Sequence, residues 1–253
     1  MKKIALVPVF NEEKTLLRVL ESLEQMVDRI VIVDDGSNDA SPTLAMEWAE
    51  DRTGAEVLRL QKNSGMSIAL REGFLYLASK LIEGDLDPED LLMTIDADGQ
   101  HDAGEIRALC EYIERKGLDV ALTRRDFSLY PYYKRLGNSL MTIWGSLWSG
   151  FHYSDIESGF RAMRVKVLPF LLDYYVGCRY SCAQEIAVLT ARLGFVVDNK
   201  FSIPIHHYRS QTQLRDVVIN ASLGAWVFLR WRLGLKTRIK PARAQLAAGG
   251  RTL

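Results

Sequence analysis

Through its first half the chain alternates short apolar runs with stretches whose apolar residues recur every three or four positions. Residues 3–9, 30–33, 56–60, 91–95 and 118–123 are runs rich in Val, Ile and Leu, the pattern of strands buried on both faces. Between them, residues 11–26, 41–51, 66–80 and 102–116 read as helices. In the first of these Leu16, Leu17, Leu20 and Leu23 share a face, and Asn11 is the candidate cap. Regular alternation of this kind predicts an α/β fold with a mostly parallel sheet and helices on both faces. Ligands of such sheets sit beyond the carboxyl ends of the strands. Val9, Asp34 and Asp96 stand at such ends, so polar residues far apart in sequence are expected to meet in one crevice.

The second half is less regular. Residues 130–153 are rich in aromatics, among them Tyr130, Tyr132, Tyr133, Trp144 and Trp148. Residues 181–193 read as a buried helix, 195–205 as a strand, and 213–232 as a last helix carrying Trp226, Phe228 and Trp231. No repeat and no linker stands out. The expected organisation is one domain over residues 1–215, followed by a basic amphipathic helix and tail over 216–253.

Composition adds little until charge is located. The 253 residues are 48% apolar and 25% charged, a normal globular balance able to bury a sizeable core. The first apolar run is too short for a leader peptide and reads as a strand; no run is long enough for a spanning helix. Cys110, Cys178 and Cys182 form no disulfide framework, which fits a reducing, cytoplasmic setting, and Cys178 with Cys182 are too few for a structural zinc site. Formal net charge is zero, with 32 basic and 32 acidic residues, but Asp216 is the last acid. Arg230, Arg232, Lys236, Arg238, Lys240, Arg243 and Arg251 follow it. A basic end on an acidic body suits an anionic partner such as a membrane surface. Nucleic acid is not expected, since no matching fold motif accompanies the basic tail.

The sharpest chemical feature is Asp96-Ala97-Asp98-Gly99-Gln100-His101 at the end of an apolar strand. Two carboxylates one residue apart offer hard oxygen ligands to Mg²⁺ or Mn²⁺, which such sites share with substrate phosphates. Alone, the triplet is equally an acidic turn. Asp34-Asp35-Gly36-Ser37 ends the second strand, where a carboxylate can accept from a base or ribose, and Pro8-Val9-Phe10-Asn11-Glu12-Glu13 ends the first.

Taken together with Asn63-Ser64-Gly65, Ala69-Leu70-Arg71-Glu72-Gly73 and Asp155-Ile156-Glu157-Ser158-Gly159-Phe160-Arg161, these stretches resemble family 2 glycosyltransferases of the GT-A fold. The resemblance spans roughly residues 3–215. Within the family the chain is most similar to the dolichyl-phosphate mannose synthase and polyprenyl-phosphate glycosyltransferase branch, on Asp-Ala-Asp with Gln-His, on Ser158-Gly159-Phe160-Arg161, and on Tyr208-Arg209-Ser210-Gln211-Thr212.

The resemblance implies a Rossmann-like GT-A domain that inverts configuration at the anomeric carbon. It implies a hexose donor of the GDP-mannose or UDP-glucose type and a polyprenyl or dolichyl phosphate acceptor. Asp96, Asp98 and Gln100 match metal-site positions, and Pro8, Phe10, Glu12 and Asp35 match positions around the nucleoside. Arg124 and Arg135 match basic residues near the donor and acceptor phosphates, and Arg209 a late arginine that closes on them. Met66 departs from the pattern, standing where a phosphate-side lysine is expected.

A lipid phosphate needs no general base, since its oxygen is largely ionised at neutral pH. A sugar hydroxyl acceptor, as in polysaccharide or lipopolysaccharide assembly, would need one, and Glu185 is then the best candidate; it reads equally well as a structural charge. The aromatic segment and basic tail favour the lipid and a peripheral position at the inner membrane face. Two other classes compare less well. Residues 92–99 superficially resemble a haloacid-dehalogenase phosphatase loop, but Gln100 breaks it and no later acidic pair completes it. A non-catalytic nucleotide-binding relative is the reading that Met66 leaves open.

Overall fold

The first strand sets the pattern for the whole sheet. In β1 (Lys3–Val9), Ile4 and Leu6 enter one layer while Ala5, Val7 and Val9 enter the other, and all are buried. A two-residue period allows this only where helices cover both faces. The structure is a computed structural model that describes residues 1–127, 130–204, 214–237 and 245–246.

Strands β2 (Arg29–Asp34), β3 (Ala55–Arg59) and β4 (Leu91–Thr94) join β1 in parallel, in the order β3-β2-β1-β4. Next in the chain come β5 (Val120–Leu122) and β6 (Arg124–Arg125). Strand β7 (Arg161–Arg164) enters the sheet between β4 and β5, antiparallel to both. The short β8 (Val197–Asp198) borders β5, β9 (Ser202–Ile203) pairs with β6, and β10 (Gln245–Leu246) runs antiparallel to β3 at the far edge.

On one face lie α1 (Leu16–Glu24), α2 (Ser41–Glu50) and α4 (Glu105–Lys116). On the other lie α3 (Met66–Ile82), α6 (Val167–Leu172) and α7 (Cys182–Arg192). In α1, Leu16, Leu20 and Leu23 are fully buried. Each contributes about 1.5–3 kcal/mol relative to exposure. Every residue of α7 from Cys182 to Thr190 is buried, because α5 (Tyr132–Ser149) and α8 (Leu214–Arg232) cover the side that faces away from the sheet.

The mostly parallel sheet with flanking helices is the architecture expected, with four local differences. The first helix begins at Leu16, not near Asn11. Asn11 has a φ of 54°, its Oδ1 accepts from the Asn38 amide at 2.9 Å, and its own amide donates to Ser37 Oγ at 2.9 Å. Its side chain ties two strand-end loops together instead of capping. Residues 195–205 do not form one strand; β8 and β9 belong to different sheets. The sequence pattern also passed over β7, whose Arg-Ala-Met-Arg run has no apolar stretch. The last helix starts at Leu214, across the expected boundary after residue 215, and its Val227 lies in the same core as α7.

Candidate active site

Topology brings the motifs together. The carboxyl ends of β1, β2 and β4 open on one edge, and the antiparallel β7 starts at that edge. Arg161 at its start pairs with Thr94, the last residue of β4, and with Leu122, the last of β5. The loops at this edge frame a cavity of about 510 Å³ whose far wall is α5 and α8. Pro8, Phe10, Glu12, Asp35, Asp96, Asp98 and Gln100, all expected in the site, line it.

The Asp-Ala-Asp turn is built for display. Asp98 accepts the Gln100 amide at 3.0 Å and also the Gln100 side-chain amide, so the pair is held as a unit. His101 stands with Nε2 3.6 Å from Asp96 Oδ2. Burial alone would raise Asp96, but hydrogen bonding and charge from His101, with Arg161 and Arg125 nearby, hold it below the usual carboxylate range. Gly159 passes directly over Asp96: a Cβ there would overlap the carboxylate. The cradle accepts Asp96 only because residue 159 has no side chain. Carboxylate and amide oxygens are the donors Mg²⁺ or Mn²⁺ takes, and the residues present fit such an ion. Among the described residues no third His, Cys, Asp or Glu completes a metal cluster with Asp96 and Asp98, so substrate phosphates and water would complete the shell.

Asp35 has a different employment. Its two oxygens accept the amides of Ser64 at 2.8 Å and Gly65 at 2.7 Å, fixing the turn before α3 against the end of β2. Burial raises its carboxyl above the ordinary range, while the two amides pull it back. Glu12 accepts from Thr15 Oγ1 at 3.1 Å, and its amide donates to Ser41 Oγ at 2.9 Å.

Four residues of the 155–161 stretch hold this edge of the site together. Asp155 is fully buried and receives Arg125 in a fork, Nε to Oδ2 at 2.8 Å and Nη2 to Oδ1 at 2.9 Å. Breaking such a buried pair on one side costs about 3–5 kcal/mol. The Arg125 guanidinium also lies over the Phe127 and Tyr130 rings, at 5.3 and 5.5 Å. Ser158 Oγ meets Thr123 Oγ1 at 2.8 Å, and Gly159 O accepts from Thr94 Oγ1 at 2.8 Å. Arg161 is 3% exposed, lines the cavity, and has an Nε without a hydrogen-bond partner among the described residues, the arrangement that receives an anion.

Three expected residues are not brought in. Arg124 is exposed and faces a separate surface hollow beside Ser154 and Ser202; its neighbour Arg125 is the one that reaches the cavity. Arg135 is exposed on α5, and Lys134 lines the cavity instead. Glu185 is fully buried and accepts the amides of Val176 at 2.6 Å and Gly177 at 3.1 Å, together with the Ser181 hydroxyl. It clamps the 176–181 loop and does not border the cavity. Burial pushes it up to about 7, against hydrogen bonds that lower it. Arg209 lies outside the described residues.

Arg125, Arg161, Glu157, Lys134, Asn138 and Asn220 line the cavity without having been singled out for the chemistry. Arginines in adjacent pairs cannot be told apart without geometry. For Asn220 there was a usable signal: it is a lone amide in the apolar run Val217-Val218-Ile219-Asn220-Ala221.

An acidic crevice at parallel strand ends, faced by Arg125 and the buried Arg161, has the groups to hold a divalent cation and phosphate oxygens. Residues 4–182 match the family described as Glycosyl transferase family 2, and the chain belongs to that family. It is therefore a glycosyltransferase, and the phosphatase comparison falls away. It is similar to the UDP-N-acetylglucosamine–dolichyl-phosphate N-acetylglucosaminyltransferase of Methanococcus voltae, 27% identical over 205 residues, covering 74% of this chain and 79% of that one. It is also similar to the undecaprenyl-phosphate mannosyltransferase of Micrococcus luteus, 24% identical over 253 residues, covering 93% of this chain and 100% of that one. Both relatives fit the polyprenyl-phosphate branch. Among solved structures, glucosyl-3-phosphoglycerate synthase of Mycobacterium tuberculosis in complex with UDP shares the fold, with a TM-score of 0.64 at 16% identity over 94% of this chain and 82% of that one. The same enzyme has been crystallised with Mn²⁺, UDP and phosphoglyceric acid.

Proposed function

We propose that the protein is an inverting glycosyltransferase that moves a hexose from a nucleoside diphosphate sugar to a polyprenyl phosphate. One observation carries the reading: the cavity runs from the Asp96, Asp98 and Gln100 end of β4 to the inner side of α5, whose outer side is bare and apolar. On α5, Lys134 and Met141 face the cavity. Leu136, Leu140, Ile143 and Leu147 recur every three or four residues on the outside, each more than half exposed. Trp226, Leu229 and Leu233 extend this surface on and just after α8. A polyprenyl chain lying against this flank would deliver its phosphate past Lys134 to the acidic end. The relatives of Methanococcus voltae and Micrococcus luteus are named for dolichyl and undecaprenyl phosphate, which supports the same class of acceptor.

In this reading Glu12, Asp35 and Phe10 surround the nucleoside, and Asp96, Asp98 and Gln100 hold Mg²⁺ or Mn²⁺. When bound there, the ion would neutralise the charge that builds on the departing diphosphate. Arg161 and Arg125 hold phosphate oxygens, Arg125 being fixed in place by Asp155. The acceptor oxygen attacks the anomeric carbon from the face opposite the leaving diphosphate. It carries no proton, so no base is required, in keeping with the sealed position of Glu185. The work is positioning and charge compensation.

The protein acts peripherally, from the cytoplasmic side, with the α5–α8 flank against the membrane. Among the described residues no helix is long and apolar enough to cross a bilayer.

The test is transfer of label from nucleotide sugars to the lipid phase, with Mn²⁺ and polyprenyl phosphate. Asp98→Ala should lower transfer at least about a hundredfold. Label appearing only on soluble saccharides would move the acceptor to the hydroxyl class, and full activity in Asp98→Ala would remove the metal assignment.

A further inference from the structure

The α5–α8 end of the cavity holds a group of polar side chains that the phosphate chemistry leaves unused. Asn138 on α5, Glu157 before β7 and Asn220 on α8 all line it. Asn220 is 2% exposed and, among the described residues, its Oδ1 has no hydrogen-bond partner; the buried Nδ2 of Asn138 likewise has none among them. Glu157 is oriented from behind by Gln184 of α7, whose Nε2 donates to Glu157 Oε1 at 3.0 Å and to Met141 O at 3.1 Å.

The helices converge here by design of sequence. A Cβ at Gly145 of α5 would come within 2.6 Å of Gln184 Oε1, and one at Gly224 of α8 within 3.4 Å. Glycine at 145 lets α5 close on α7, whereas a Cβ at 224 would make only ordinary contact with Gln184; α5 and α8 carry Asn138 and Asn220 to the cavity wall.

Unpaired amide groups in a buried wall are costly unless a ligand or water satisfies them. Their chemistry identifies the ligand. Asn220 Oδ1 and the Glu157 carboxylate accept hydrogen bonds, and Asn138 Nδ2 donates one. A sugar hydroxyl both donates and accepts, so a neutral hexose answers this mixture. A phosphate only accepts, and would face the carboxylate of Glu157.

We propose that Asn138, Glu157 and Asn220 form the subsite that binds the hydroxyl groups of the transferred sugar, so that the last helix takes part in donor selection. This rests on the reading of the protein as a nucleotide-sugar transferase. A side chain that reads hydroxyl groups can separate sugars that an apolar pocket cannot.

Calorimetric titration of the full chain with Mn²⁺ tests it, using UDP against UDP-glucose and GDP against GDP-mannose. In Asn220→Ala and Asn138→Ala, affinity for the nucleotide sugar should fall about five- to tenfold, with affinity for the bare diphosphate unchanged. Unchanged diphosphate binding also reports that the variant is folded; Asn220→Asp, which keeps shape and alters hydrogen bonding, serves if the alanine variant does not fold. Equal losses for diphosphate and nucleotide sugar overturn the subsite, as does unaltered sugar affinity. A raised KM for polyprenyl phosphate with donor binding intact assigns the group to the acceptor instead and equally overturns it. If the wild-type chain binds neither diphosphate, the transferase reading itself fails, a result distinct from the other outcomes.

Discussion

The two walls of the cavity are built on different principles. The strand-end wall is made of loops whose side chains bond the backbone of the next loop: Asp35 takes the Ser64 and Gly65 amides, and Asn11 takes that of Asn38. The helical wall is made of α5, α7 and α8, with α5 seated on α7 through Gly145, and polar residues project from it into the cavity. Loop carboxylates tethered to backbone give fixed geometry toward a phosphate and its metal. Packed helix faces can be altered one side chain at a time. The first wall suits chemistry common to a family, the second suits whatever distinguishes its members.

The largest effect that would separate the walls comes from Gly159→Ala. The new Cβ overlaps the Asp96 carboxylate, which must move by an ångström or so. Displacement on that scale can cost about a hundredfold in rate. The expected result is transfer reduced on that order, with nucleotide-sugar binding in the absence of metal little changed. Unaltered turnover would show that Asp96 can be displaced without harm, and the strand-end wall would lose its claim to fixed geometry.

A second effect concerns stability and belongs to the helical side. The folded-state value of Glu185 is about 7, against an ordinary 4.5. Between those values the folded chain holds a proton that the unfolded chain has released. Its contribution is therefore fully present below about 4.5 and is lost as pH rises through 7. At one pK unit per 1.4 kcal/mol the loss is on the order of 3 kcal/mol. Glu185→Gln, which still accepts the loop amides, should be correspondingly less sensitive to pH. Urea unfolding from pH 4.5 to 8 checks this; parallel curves for the two proteins would refute the buried titration.

The difference between the walls also explains what the sequence disclosed. Strands β1 to β4 and their helices were legible because each apolar run is bounded by a helix-period segment, and their ends coincide with the motifs. Asp96, Asp98, Gln100, Asp35 and Glu12 converge because parallel strand ends must share an edge. The antiparallel β7 was not legible, since Arg161–Arg164 has no strand-like run and owes its place to β4 and β5 on either side. The choice of Arg125 over Arg124, and of Lys134 over Arg135, depends on which side of a two-residue strand or a helix faces inward. Neighbouring like residues hide that. Glu185 has a sequence context that suits a base and an environment that excludes it, and only burial separates the two.

Gly145→Ala tests the helical wall as Gly159→Ala tests the other. The Cβ would press on Ile156 and stand 2.6 Å from Gln184 Oε1, so these two side chains must give way. Overpacking of this kind costs about 1–3 kcal/mol. Thermal unfolding should report that loss, and donor affinity should fall while affinity for the bare diphosphate holds. A fall in both would mean that the two walls are mechanically one.

The smallest expected effect lies outside the cavity, on the bare flank of α5. Leu140 is 60% exposed and Ile143 66%, so they pack little within the protein. Replacing both with serine leaves the core intact, and stability should shift by no more than about 0.5 kcal/mol. Exposed apolar side chains on a surface helix acquire value when they enter a bilayer interface, in proportion to the area buried. Co-sedimentation with vesicles containing anionic lipid should therefore weaken by about tenfold for the double variant. Transfer assayed with a short, water-soluble polyprenyl phosphate should be unchanged, since the cavity side of α5 keeps Lys134, Asn138 and Met141. Equal vesicle binding by the two proteins would detach the flank from the membrane, leaving the lipid acceptor to be argued from the cavity alone.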